Sequence, residues 1–378
     1  MKLTHDAQTT KAVAQLVGYA FNKQHALDQD EIFLSRYKHA DLYGETNEQE
    51  VTSFILVDRF KVQLFEKVVK SAGIGYVASY PEHRGNGAIK RLMQEILQDL
   101  FAKQVALSQL APFSESFYRQ FGYAVTSLQK CYRIKEQAFL GFKNEQKGTI
   151  KRGDWQTLAP LIKALYAKQL KNKQVGTLVR SSWWWERLDK YYDGRFYAVI
   201  FDQAGQACGY LSYRAKGPQL YVDELVYENA FALRKSLTYL KAHLASFQEI
   251  IYNAPLHEQL ERYFPEQRLL EITQKPYMMS RIIDVKQVLP LFFPKEVVVE
   301  VTNDDFCPQN VGRWEVKGGT CQPSKKRPDL AGSITALSEL LYSDLTLDQA
   351  SLLEKLKLEP HTKDLQLRKG QQSFYDYF

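Results

Sequence analysis

Cysteine is scarce in this chain. Cys131, Cys208, Cys307 and Cys321 are the only four in 378 residues, and none forms a CxxC pair, which suits reduced structural thiols better than a disulfide frame or a zinc knuckle. The seven histidines never adopt HExxH spacing, the Gly-Lys dipeptide of a Walker loop does not occur, and no GxSxG elbow is present. Zinc peptidases, P-loop nucleotidases and serine hydrolases of those types drop out together, and no metal is called for. No apolar run approaches the ~18 residues of a membrane span. The opening MKLTHDAQTTKAVAQ lacks the basic-then-apolar order of an export signal, so a cytoplasmic location is expected. Neither sign of charge dominates: the net value of +7 favours acidic ligands such as nucleotide phosphates without identifying one.

What is present fits a folded, multi-domain protein. Apolar residues at 45% and charged residues at 25% exclude disordered, collagen-like and coiled-coil chains. At roughly 150 residues per domain, two or three domains are expected. The first unit, residues 1–140, opens with apolar positions Val13, Leu16, Val17 and Ala20 at helical spacing. Strand-like runs follow at Val51–Asp58, Phe60–Phe65 and Gly73–Ser79. Gly75–Leu100 then reads GYVASYPEHRGNGAIKRLMQEILQDL, a strand, a glycine-containing turn, and apolar residues Ile89, Leu92, Met93, Ile96, Leu97, Leu100 and Phe101 on one helical face.

A second strand–helix–strand pattern occupies residues 141–285, with QLYVDELVY, then Leu233, Leu237, Leu240, Leu244 and Phe247, then EIIYNAPL. Where the first copy has Arg84-Gly85-Asn86-Gly87, this one has Glu228-Asn229-Ala230-Phe231. A diverged duplication explains the pattern, and so does an independent second domain. Residues 286–378 carry a β-branched run, PLFFPKEVVVEV, and a short helical stretch, SITALSELLY. Their Lys325-Lys326-Arg327 cluster has no interleaved aromatics, so a solvated loop is expected and no nucleic-acid contact.

A glycine turn between a strand and a long helix points consecutive main-chain N–H groups at whatever lies before the helix, which is an anion site for a diphosphate. The dinucleotide pattern GxGxxG is not met, because its third glycine position is Lys90. An ordinary strand-to-helix turn is the plain alternative. A second segment, SFYRQFGY at Ser116–Tyr123, follows the strand-like VALSQLAP. Chemistry in which an amine displaces a thiol from a thioester needs a proton donor near sulfur, and a phenol can serve.

Arg84, Gly87 and the turn between them resemble the acyl-CoA pyrophosphate motif of the GNAT superfamily of N-acetyltransferases, with Ile89 where that family has a small residue. SFYRQFGY resembles its tyrosine motif. Two such units, a small α+β domain and the aromatic ending SFYDYF are similar to the Eis (enhanced intracellular survival) type. The resemblance implies an α+β fold of two tandem GNAT domains, the second degenerate, followed by a sterol-carrier-like α+β domain. It implies that acetyl-CoA is held by Val77, Ala78 and Ser79 along its pantetheine arm and by Arg84, Gly85, Asn86, Gly87 and Ala88 at its pyrophosphate. It implies Tyr118 as the donor to sulfur and the carboxylate of Phe378 as general base. The acceptor would be a primary amine, of an aminoglycoside-like small molecule, a polyamine or a lysine side chain, and the assembly a homo-oligomer, a hexamer.

In the second copy Glu261 stands level with Tyr118 and Pro265 with Gly122, which marks it as inactive. Phe374, Tyr375, Tyr377 and Phe378 predict a docked tail, whose apolar surroundings would raise a carboxyl pKa. Asp376 is a substitute for the acid expected beside the terminal residue. Asp28, Asp30 and Glu31 read either as an acceptor wall or as a solvated acidic loop. Adjacent Trp183, Trp184 and Trp185 cannot share a helix face and are expected to divide between core and interface. Two other functions fit the same residues: a GNAT-fold transferase with another acyl donor, and a non-catalytic CoA- or lipid-binding protein.

Overall fold

The computed structural model describes residues 1–48, 50–171, 174–359 and 365–378. The first unit runs α1 (Ala7–Ala20), α2 (Glu31–Tyr37), β1 (Ala40–Asn47), β2 (Glu50–Leu64), β3 (Lys67–Ser79), α3 (Ala88–Ala102), β4 (Leu107–Leu110), α4 (Glu115–Arg119) and β5 (Ala124–Ile134). The second runs β6 (Thr149–Gly153), α5 (Trp155–Leu170), β7 (Val175–Leu178), α6 (Ser182–Tyr191), β8 (Phe196–Phe201), β9 (Ala207–Lys216), β10 (Gln219–Tyr227), α7 (Ala230–His243), β11 (Glu249–Pro255) and β12 (Glu271–Ile282). Among the described residues, no helix is long and apolar enough to cross a membrane.

The two units repeat one plan. In each, antiparallel strands lead to a parallel pair, β3–β4 or β10–β11, bridged by one helix. The apolar face read from the sequence is the buried face of α3, where Ala88, Leu92, Met93, Ile96, Leu97 and Leu100 pack; each large side chain contributes about 1.5–3 kcal/mol. The runs 51–58 and 60–65, read as two strands, form the single strand β2.

The units are not separate sheets. Strand order is β1-β2-β3-β4-β12-β5-β11-β10-β9-β8-β6, with β7 on β2. β12, from the second unit, pairs with β4 through Met279–Leu110, while β5, from the first, pairs with β11 through Ile250–Ile134. The last strands of the two units are exchanged and lie side by side, Glu271 opposite Arg133.

The third unit comprises α8 (Val285–Phe292), β13 (Val297–Val301), β14 (Gly312–Lys317), β15 (Thr320–Pro323), β16 (Leu330–Gly332), α9 (Ile334–Tyr342), α10 (Leu347–Leu352) and β17 (Lys357–Leu358). Its five-stranded sheet packs through α9 onto the exchanged strands, where Ser338 accepts from the Ile282 N–H at 3.0 Å. All four cysteines are free thiols. Lys326 of the basic cluster pairs with Glu296 and Glu315, and Arg327 with Glu359.

Candidate active site

β3 pairs with β4 only from Ser71–Leu107 to Ile74–Leu110. Beyond Ile74 the two strands part, and the β4-facing edge of β3 continues alone to Ser79. On its other side β3 carries a bulge, because Tyr76 and Val77 together oppose Ile55 of β2. Tyr76 takes the left-handed conformation there, φ 49°. The bulge bends the strand and turns main-chain groups of Val77 away from the ladder. Ala78 and Ser79 rejoin β2, with the Ser79 hydroxyl 2.7 Å from that of Ser53.

The turn from β3 into α3 is exposed and held open by glycine. Gly85 and Gly87 sit at φ 80° and 81°, and a side chain on Gly85 would meet only open space. Arg84 folds back to donate to the Ser79 carbonyl at 3.3 Å. Asn86 accepts from the Ala88 N–H at 2.9 Å, and Arg91, paired with Glu45, donates to the Asn86 carbonyl at 2.8 Å. The first main-chain bond of α3 runs from Arg91 to Gly87. The N–H groups of Ile89 and Lys90 therefore have no acceptor among the described residues, and the helix dipole adds partial positive charge at the same point. A pyrophosphate fits this donor set. In the second unit Asn229 likewise caps one N–H of α7, accepting from Ala232 at 2.9 Å, but no glycine opens the turn before it and Glu228 stands where the first unit has Arg84.

Tyr118 lies on α4, capped by Ser114. Its ring is buried among Phe113, Phe117 and Tyr123. Its hydroxyl has no hydrogen-bond partner among the described residues. Burial pushes the phenol above its ordinary pKa, and Tyr123 and Tyr377 push in the same direction. The glycine of its motif has a physical cause. Gly122 sits at φ 85°, and a Cβ there would lie 2.5 Å from the Arg281 guanidinium. Arg281, on β12, donates to the Phe121 carbonyl and pairs with Asp304 of the third unit at 2.6 Å, so all three units meet behind Tyr118.

The tail is docked. The Phe378 ring packs on Phe60 at 4.9 Å and Trp184 at 6.1 Å, and Gly73 makes room for it, since a Cβ there would lie 2.8 Å from the ring. The Phe378 main-chain oxygen accepts from the Ala111 N–H at 3.3 Å, just past the end of β4. Asp376, buried, is gripped by Arg180 Nε at 2.9 Å and by Trp184 Nε1 at 2.7 Å. Arg180 also holds Glu224 at 2.5 Å and lies 4.4 Å from both the Tyr166 and Trp185 rings. Burial raises the Asp376 carboxyl despite Arg180, whereas at Glu224 the guanidinium overcomes burial and lowers it. Asp376 is thus an anchor inside the second unit, not an acid facing the cleft. Tyr375 donates to the Leu225 carbonyl at 2.9 Å and lies 3.0 Å from the Tyr252 hydroxyl. It fills, in the second unit, the gap between parting parallel strands that stays open in the first.

Val77, Tyr118 and Phe378 line one cleft of about 270 Å³, together with Gly75, Tyr76, Ala111, Phe113 and Tyr377. Of the three acids after α1, Asp30 reaches this cleft, but it is the cap of α2, accepting from Ile32 and Phe33, and lies 2.7 Å from His25. Glu31 pairs outside with Lys190. The tryptophans divide as their adjacency requires: Trp183 stacks on His39, Trp184 holds Asp376, and Trp185 packs on Trp155.

Two further buried arginines, like Arg180 and Arg281, escape a reading of the sequence. Arg36 forks Asp58 with Nε at 2.9 Å and Nη2 at 2.6 Å; burial opposes its charge, Asp58 more than restores it, and the guanidinium ends above its usual value. It passes so close to β3 that Gly75 has no room for a Cβ, which would fall 2.0 Å from Nη2. Arg187 of α6 reaches the cleft from the second unit. Gly75 of GIGY hints at Arg36, and no spacing in the sequence hints at Arg187.

Residues 4–126 match the acetyltransferase (GNAT) domain family, residues 176–282 a second acetyltransferase (GNAT) domain family, and residues 286–374 the sterol carrier protein domain. An uncharacterised N-acetyltransferase of Streptomyces avermitilis is 24% identical over 314 residues, 74% of this chain and 73% of its own. One from Streptomyces coelicolor is 23% identical over 296 residues, 71% and 70% of the two chains. Among solved structures, an Enterococcus faecalis protein described as a probable N-acyltransferase superposes with TM-score 0.91 at 28% identity, over 100% of this chain and 98% of that one. Eis1 from Mycobacterium abscessus superposes with TM-score 0.83 at 18% identity, over 100% and 99%.

Proposed function

For a chain that belongs to the GNAT N-acetyltransferases and has the three-domain Eis fold, we propose that it transfers an acetyl group from acetyl-CoA to the primary amine of a small molecule or a lysine side chain by direct attack. The exposed amides at the start of α3, with Arg84, Gly85, Asn86, Gly87 and Ala88 around them, would hold the pyrophosphate. The unpaired edge of β3 at Val77, Ala78 and Ser79 would hold the pantetheine arm. When bound, acetyl-CoA supplies the activated acyl group as a thioester.

Tyr118 then acts on sulfur. A phenol held above its usual pKa stays protonated across the neutral range, so it presents a hydrogen bond to the sulfur as the C–S bond breaks. The carboxylate of Phe378 takes the proton that the amine nitrogen loses as the C–N bond forms. The second unit positions that carboxylate through Arg180 and Asp376. The observation that carries this reading is the single cleft lined by Val77, Tyr118 and Phe378.

The test is thiol release from acetyl-CoA, and from longer acyl-CoAs, against a panel of amines. Acetyl-CoA is expected to be the best donor. Tyr118→Phe and deletion of Phe378 are each expected to lower kcat by about 10²-fold. Full activity in both variants would overturn the assignment of roles, and a chain that binds CoA but acetylates no amine would overturn the function.

A further inference from the structure

Among the described residues, the side-chain carboxylates that line the cleft and the cavity beside it, Asp30, Asp223 and Glu224, are all engaged, as are Asp58 and Glu31 nearby. Asp58 is forked by Arg36, Asp30 caps α2, and Glu31 pairs with Lys190. Asp223 is shared by Arg195 at 3.3 Å and Arg214 at 3.1 Å, and Arg180 holds both Glu224 and Asp376. Arg187 is the exception. It is 5% exposed and has rings of Trp184 and Tyr191 at 5.7 and 5.2 Å. It lines both the cleft that holds Tyr118 and Phe378 and a smaller adjoining cavity of about 100 Å³.

Its Nη1 donates to the Ile32 carbonyl. Nε and Nη2 have no acceptor among the described residues, yet neither is sealed from solvent. Burial and the like charge of Arg36 lower its pKa and outweigh the pull of Asp58, which Arg36 already forks. Such a charge is expensive to bury, and a fold can keep it where a ligand brings the missing anion.

The free pair of donors has a shape. Nε and Nη2 form one edge of the guanidinium, two parallel N–H groups that match the two oxygens of a carboxylate. Arg36 uses this same edge on Asp58, with Nε and Nη2 both bonded. Among the described residues, no unengaged side-chain carboxylate lines the cleft, and a polyamine entering it would meet Arg187 and Lys23.

We propose that Arg187 is the anion-binding residue of the acceptor subsite, and that the acceptor is an amine that also bears a carboxylate. The carboxylate pairs with Nε and Nη2 of Arg187, and the amine faces Tyr118 and the Phe378 carboxyl group. This deepens the acetyl-transfer reading above and rests on it for the role of the amine.

The experiment uses the full-length protein and four probes of one chain length: γ-aminobutyrate, γ-aminobutyramide, putrescine and butyrate. Thiol release from acetyl-CoA is expected to favour γ-aminobutyrate over the amide and over putrescine by about tenfold or more in kcat/KM, chiefly through KM. Arg187→Gln should reduce that ratio to within about threefold, and Arg187→Lys, which keeps charge but loses the fork, should restore only part of it. Calorimetric titration with butyrate reads the subsite without turnover: binding to the wild type should be lost in Arg187→Gln. A wild-type preference for putrescine, an acid-to-amide ratio that Arg187→Gln leaves intact, or butyrate binding equal in wild type and variant would each overturn the proposal. If no amine is acetylated, the transferase reading fails, and the titration still decides on Arg187.

Discussion

Replacing Arg180 by methionine is the sharpest perturbation of the tail. The guanidinium has no exposed side-chain surface and sits between two carboxylates, Glu224 at 2.5 Å and Asp376 at 2.9 Å. Removing it leaves two buried acids with no cation between them, and losing one partner of a buried pair costs about 3–5 kcal/mol. The cheapest escape is to free Asp376 by undocking the tail, leaving the sheet intact. At about 1.4 kcal/mol per decade, the undocked fraction should rise by about 10²–10⁴-fold. Two amides report on it: Ser373 N–H, which donates to Gln174 and Thr177 at 3.1 Å, and Ala111 N–H, which donates to Phe378 at 3.3 Å. Both should exchange with solvent deuterium faster in Arg180→Met by that factor, and kcat should fall with them. Burial holds the Asp376 carboxyl above its ordinary pKa, so the docked state binds a proton more readily than the free tail, and docking strengthens as pH falls. Mild acid should therefore slow exchange in the variant once intrinsic rates are corrected for. Asp376→Asn, which keeps an acceptor for Trp184 and removes one negative charge, should be far milder. Exchange and kcat/KM in Arg180→Met within about twofold of wild type would refute the reasoning, since a factor of two is only about 0.4 kcal/mol.

Three further outcomes are expected. Gly73→Ala places a Cβ 2.6 Å from the Phe60 ring and 2.8 Å from the Phe378 ring; overpacking of this kind costs about 1–3 kcal/mol, so the variant should lose melting temperature and kcat while the KM for acetyl-CoA changes little. Gly122→Ala combines φ 85° with a 2.5 Å approach to Arg281, and it should destabilise by more than the ~1–2 kcal/mol of the backbone conformation alone, read from urea midpoints. Burial, with Lys130 nearby, lowers His257 from 6.5 to about 4. The unfolded chain therefore binds the extra proton first, and stability falls as pH drops from 6.5 towards 4, by about 3 kcal/mol in all. His257→Gln should remove that part of the slope, and an unchanged difference between pH 7 and pH 5 would contradict the assignment.

Local features were legible and non-local ones were not. The spacing of Leu92, Met93, Ile96 and Leu97 is a periodicity that a helix must obey, and α3 runs Ala88–Ala102 as that spacing requires. The turn before it and the SFYRQFGY segment were visible because glycine is forced by backbone geometry at Gly87 and Gly122. Asp30 carried a local signal that the sequence reading passed over, an aspartate directly ahead of a helical EIF, which is an N-cap pattern. The exchange of β5 and β12 left no trace, because a strand's apolar face does not say which neighbour it will pair with. The ion pairs Arg36–Asp58 and Arg180–Asp376 join residues 22 and 196 positions apart, and no spacing rule encodes such partners. Arg187 was equally hidden, since what distinguishes it is the carboxylate it does not have.

The exchanged strands make the protein slow to become safe. Once residue 134 has left the ribosome, β4 has β3 on one side only and β5 has neither neighbour, and the missing strands, β11 and β12, end at residues 255 and 282. At ~5–20 residues per second, the nascent chain displays open strand edges for about 7–30 s. Holdase chaperones should find it a frequent client during that interval. Expression of residues 1–140 alone should give aggregates, because the missing piece of its sheet is encoded in another part of the message.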